Sequence, residues 1–121
     1  MTGAWTEDRA RPLVIARSGD RCEIDREPGT DLAHRVDRSD GGTWAPSNLL
    51  RLCRKCHAWT HAEPLLAVEG GWRLRSTDDP ATSPAWLWTP YGQAWFVLSD
   101  LGDYVFSARP PVLPPWVEVS P

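Results

Sequence analysis

The stretch Cys53-Arg54-Lys55-Cys56-His57 narrows the possible folds of this chain more than any other. Two thiols separated by two residues can share a metal ion or exchange a disulfide, and the rest of the sequence decides between these. The only other cysteine is Cys22, so the count is odd. The first twelve residues, MTGAWTEDRARP, hold no apolar core of the kind an export signal carries. An odd cysteine count without such a signal speaks against a disulfide framework. A thioredoxin-like redox motif would sit inside a βαβ unit, and no such unit flanks Cys53, so a metal is expected. The chain also needs a staple. Leu, Ile, Val and Phe make up only about one fifth of the 121 residues, the composition at which chains stop folding on their own. Twelve prolines and nine glycines argue against long helices or a large regular sheet, while eight tryptophans restore some apolar area. No apolar run approaches the roughly 20 residues of a membrane span. A soluble cytoplasmic protein is expected.

Local signals divide the chain. Thr6 before Glu7-Asp8 is a cap with an acidic first turn, and predicts a helix over 8–18 that stops at Gly19. Residues 32–36 and 48–52 read as a strand and its return, joined by a loop through Gly41-Gly42. Residues 54–63 read as a helix, and Pro64 begins a second short one over 64–69 that Gly70-Gly71 ends. Alternation at Trp72–Arg75, Ala85–Trp88 and Trp95–Leu98, then Tyr104-Val105-Phe106, predicts three or four short antiparallel strands. The tail from Pro110 is proline-rich and expected to be extended. The resulting division is a core with an N-terminal helix over 1–69, a small β appendage over 70–109, and a tail over 110–121.

All three histidines, His34, His57 and His61, lie within 28 residues of one another and interleave with two of the cysteines. His57 and His61 are four apart, which on a helix places both imidazoles on one face, within reach of one divalent ion. His34, on a strand, is suited to take a proton near neutral pH, its ordinary pKa being about 6.5. The full pattern is His34-Arg35, five residues, Gly41-Gly42, five residues, Asn48-Leu49-Leu50, then Leu52-Cys53-x-x-Cys56-His57. Over residues 20–63 this resembles the HNH endonucleases, in particular the small single-domain proteins of bacteriophages and bacterial genomes.

The resemblance implies an α+β fold with a treble-clef-like ββα-metal core, preceded by the N-terminal helix and followed by the β appendage. It implies metal-dependent hydrolysis of DNA phosphodiesters. His34 would be the general base and Asn48 the residue that ties the hairpin loop and orients that base. His57 would ligate the catalytic cation, with His61 as second ligand. Magnesium is the expected ion, although two imidazoles also suit manganese, nickel or zinc. Many members carry His or Asp just before the base, where this chain has Ala33. That departure leaves open a catalytically inactive module that binds nucleic acid or protein.

In many such proteins two Cys-x-x-Cys pairs hold a structural zinc. Here the first is Cys22-Glu23-Ile24-Asp25, so Asp25 stands beside Cys22, Cys53 and Cys56 as the fourth candidate ligand. Asp25 substitutes, or the zinc is weaker, or it is absent; a rival set would replace Asp25 by His57 and leave no catalytic cation. Structural zinc contributes about 10–16 kcal/mol in finger peptides, a large supplement to a thin core. Arg35, Arg38, Arg51, Arg54 and Lys55 are the candidate phosphate contacts to DNA, against the alternative of an ordinary solvated face. The Trp- and Pro-rich C-terminal region is either core or a surface for a protein partner, as in an accessory of phage assembly.

Overall fold

The computed structural model describes residues 4–107 and shows a mixed α+β chain with two antiparallel sheets. Helix α1 (Glu7–Ser18) starts where the Thr6 side chain accepts from the Arg9 amide at 3.2 Å, and it stops at Gly19. A tight loop over residues 19–30 leads into β1 (Asp31–His34), which pairs with β2 (Leu49–Leu52) so that Asp31 faces Leu52 and His34 faces Leu49. Cys53 caps α2 (Arg54–Ala62), its sulfur accepting from the Cys56 amide. Helix α3 (Pro64–Glu69) follows with proline in its first turn, where the missing N–H costs nothing.

The β1–β2 connection depends on two glycines. Gly41 has φ of 89°, and a Cβ on Gly42 would overlap the Val36 carbonyl oxygen. Any side chain at residue 42 would therefore push this end of the loop off residues 36 and 37, which it folds back upon.

Beyond α3, β3 (Ala85–Thr89), β4 (Gly92–Leu98) and β5 (Tyr104–Phe106) form a meander in that order. The expected strand at Trp72–Arg75 does not form. The segment instead follows a turn at Gly71, and the Trp72 indole donates to the Trp86 carbonyl at 2.7 Å. Trp72 plugs the core rather than lining a ladder. Trp72 and Trp95 are buried, Trp86 stacks edge-on against Trp95, and Trp88 is 45% exposed. The tail expected over 110–121, with Trp116, lies outside the described residues.

One buried cluster holds Cys22, Ala33, Leu50, Leu52, Cys53 and Cys56 together with Trp72, Ala85, Leu87, Phe96 and Leu98. The hairpin and the meander therefore share a core that crosses the expected boundary at residue 69. A second, smaller cluster fastens α1 to β2 through Ala10, Val14 and Leu49, with Trp44 packed against it. Among the described residues no helix is long and apolar enough to cross a membrane.

Candidate functional site

Two constellations lie at either end of α2. The first is a knuckle. Cys22 opens a tight turn closed by Cys22 N–H to Glu27 O at 2.7 Å and Arg26 N–H to Cys22 O at 2.9 Å. This turn brings Cys22 and Asp25 against Cys53 and Cys56 at the start of α2. One ligand atom from each of the four lies within 4.8 Å of the others. The Asp25 carboxylate stands 3.5 Å from the Cys53 sulfur and 3.2 Å from that of Cys56. Backbone amides point at two of the sulfurs, Ile24 at Cys22 (3.5 Å) and Cys56 at Cys53 (3.4 Å).

This donor set could hold a metal ion. Three sulfurs and one oxygen, partly buried and mutually close, match the softness and coordination number of tetrahedral zinc. Proton sharing among the thiols fits the same reading. A hydrogen bond with Cys56 lowers the Cys22 thiol to about 7. The same bond, with burial, pushes Cys56 up, and burial raises Cys53. Burial alone would raise Asp25, but hydrogen bonds from Cys22 and the Glu27 amide outweigh it and hold the carboxyl low. Lys55, 3.8 Å from Asp25, adds a compensating positive charge. His57 is not part of this group: its Nδ1 is 2.8 Å from Asp31 Oδ2, so the rival ligand set with His57 does not assemble.

The second constellation is a cleft of about 380 Å³ lined by Leu32, His34, Asp37, Arg38, Ser39, His57 and His61. Strand β1 supplies His34, the turn after it supplies Asp37 and Arg38, and α2 supplies both other imidazoles. The rings of His57 and His61 are 5.3 Å apart, on consecutive turns of the helix. His34 packs edge-on against Trp44 at 4.4 Å, and its Nε2 is buried without a hydrogen-bond partner among the described residues. Burial and the nearby Arg38 guanidinium lower the His34 pKa, which keeps the ring neutral and able to accept a proton near pH 7.

Asn48 fixes the loop that carries this cleft. It is buried, accepts from the Val36 amide at 2.8 Å, and donates to the carbonyls of Val36 (3.1 Å) and Thr43 (2.9 Å). All three side-chain contacts fall on the β1–β2 connection, just beyond His34.

The five candidate phosphate contacts separate. Arg35 and Arg51 do not reach the surface. Arg35 is fully buried and donates to four carbonyls: Gly71 (2.9 Å), Ser47 (3.0 Å), Pro80 (3.0 Å) and Ser83 (2.7 Å). Burial lowers it to about 9, so it stays protonated at neutral pH. Arg51 is buried against Asp20 and the Gly29 carbonyl. A guanidinium committed to backbone inside the chain is unavailable to a phosphate. Arg38 is exposed at the cleft mouth, over the Trp44 ring. Arg54 and Lys55 are exposed as well, with Arg54 on Asp31.

Three features escaped the sequence. Asp31 holds both His57 and Arg54, which together outweigh its burial and lower its carboxyl to about 2. Arg73 enters from beyond α3, 2.5 Å from Asp37 and 3.4 Å from both ring nitrogens of His61. After burial, its charge is what lowers the His61 pKa most. Glu23, between two knuckle ligands, is completely buried and accepts from Arg17, the Arg51 amide and the Tyr104 hydroxyl. None of the three stands in a recognisable motif. Only the presence of an acidic residue next to Cys22 hinted at Glu23. The chain matches no family model, no curated protein and no solved structure.

Proposed function

We propose that this protein is a metal-dependent endonuclease of the HNH type, hydrolysing DNA phosphodiesters on a ββα-metal core stapled by zinc at Cys22, Asp25, Cys53 and Cys56. The observation that carries this reading is the shared cleft. It sets a neutral imidazole, His34, on one element and two further imidazoles, His57 and His61, on another, with room for a phosphate between them.

Asn48 holds the loop so that His34 keeps its place on the cleft wall. His34 takes the proton from the attacking water, a task suited to a base that is unprotonated at neutral pH. The residues present fit an open cation site. Asp31 occupies Nδ1 of His57 and so leaves Nε2 as its available donor, and His61 offers a second nitrogen one turn along. When bound there, a divalent cation supplies stabilisation of the charge that develops on the phosphate and on the departing 3′ oxygen. Arg38 at the mouth can steady the flanking backbone phosphate, and Cys22, Asp25, Cys53 and Cys56 would hold a zinc that ties hairpin to helix.

One observation favours a second reading, in which the chain is a binding module without catalysis. The Arg73 guanidinium, equally near both ring nitrogens of His61, opposes a cation at either of them. Plasmid nicking over a panel of Mg2+, Mn2+, Ni2+ and Zn2+ separates the two. The nuclease reading expects cleavage by the zinc-loaded chain, abolished by His34→Ala with the fold intact. Retarded migration of DNA without cleavage in any of these ions would establish the binding module instead.

A further inference from the structure

We propose that Asp31 is the positioning residue of the cleft, its carboxylate accepting the Nδ1 proton of His57 and thereby presenting Nε2 as the nitrogen that ligates a divalent cation. The inference rests on the nuclease reading above and adds to it a residue that lies outside the histidine–asparagine–histidine pattern.

The argument is geometric. Asp31 is the first residue of β1 and faces Leu52 across the hairpin, so it hangs over the start of α2, two residues further on. His57 is the fourth residue of that helix, and its Nδ1 meets Asp31 Oδ2 at 2.8 Å. Arg54, one turn earlier, straddles the same carboxylate, with Nε 3.1 Å from Oδ2 and 3.2 Å from Oδ1, and Nη2 3.2 Å from Oδ1. The carboxylate is thus gripped from one side and holds the imidazole on the other. Its side chain is only 13% exposed, whereas that of Arg54 is 82% exposed. Thr30 also hydrogen-bonds this carboxylate, so its place is fixed by more than the exposed Arg54. An imidazole has two nitrogens, and a fixed acceptor at one decides which is free to bind. A carboxylate behind a metal-ligating histidine also makes the ring a better donor, and its loss typically weakens metal affinity or activity about 10- to 100-fold.

The test uses the zinc-loaded full chain and has two independent readouts. The first is the long-range 15N–1H spectrum of the imidazoles at about pH 8, above the ordinary histidine range. His57 is expected as a single tautomer, Nδ1 protonated and Nε2 bare, and Asp31→Ala is expected to mix the two tautomers. The second is the Mn2+ concentration giving half-maximal plasmid nicking. It is expected to rise about 10- to 100-fold in Asp31→Ala and to recover in part in Asp31→Glu. Asp31→Leu, which keeps much of the shape and removes the acceptor, replaces the alanine variant if circular dichroism shows the latter unfolded. Unchanged tautomer and unchanged Mn2+ dependence would overturn the proposal. If the wild type nicks DNA in no ion, the nuclease reading fails, and the tautomer spectra still decide whether Asp31 positions His57.

Discussion

Arg35 offers the sharpest check on the physical account, because its surroundings allow a magnitude to be worked out. Its guanidinium spends its donors on four backbone carbonyls from three separate stretches of chain, at residues 47, 71 and 80–83. Replacement by methionine keeps much of the volume and removes every donor. The bonds to Gly71 and Ser47 are buried, whereas those to Pro80 and Ser83 are only partly so. The latter two carbonyls can turn to water. The former two stay unpaired, at about 1–3 kcal/mol each, or about 4 kcal/mol for the pair. Against a total stability of about 5–15 kcal/mol this is a large fraction. For a domain of this size it corresponds to a fall in melting temperature of about 10–20 °C. Urea unfolding of the zinc-loaded protein measures the change directly, and the salt dependence of DNA retention, measured alongside, is expected to be unaltered. A loss of under about 1 kcal/mol, or a weakened DNA complex at unchanged stability, would refute the reasoning and return Arg35 to the phosphate-binding surface.

Three further outcomes are expected. The cluster of Cys22, Asp25, Cys53 and Cys56 should carry one zinc per chain by elemental analysis. Because Cys53 and Cys56 hold their protons more tightly than free thiols, zinc affinity should rise with pH, and chelation should unfold the chain. Cleavage should increase with pH through the His34 titration and then level off. Since burial and Arg38 lower that pKa, the midpoint should fall below 6.5, and Arg38→Ala should move it back up, as pH–rate profiles will show. Glu23→Gln leaves Arg17 buried beside a neutral partner and should cost about 3–5 kcal/mol in urea unfolding, with Tyr104→Phe well below that.

What could be read ahead of the structure was what short-range chemistry determines. The cap at Thr6, the stop at Gly19, the turn through Gly41-Gly42 and the Cys53 start of α2 all depend on neighbours within a few residues, and these elements appear where expected. That His57 and His61 share one face of α2 was likewise legible from their spacing, whereas a place for His34 beside them was implied only by the resemblance. Arg35 was misread because its partners are main-chain oxygens up to 48 residues away, and carbonyls leave no signature in a sequence. The alternation at Trp72–Arg75 misled for a related reason: apolar residues that plug a core from a turn look the same as those of a half-buried strand. Asp31 went unnoticed because its importance comes from the hairpin register, which places it over α2 only after β1 and β2 have paired.

The larger buried cluster limits how this chain can be handled. The residues resembling a nuclease motif stop near position 63, which invites excision as a portable cassette. A cut there would strand Leu50, Leu52 and the cysteines without Trp72, Leu87, Phe96 and Leu98 to lean on. It would also release the carbonyls that Arg35 holds at residues 71, 80 and 83. Engineering that seeks a smaller scaffold should therefore keep the meander.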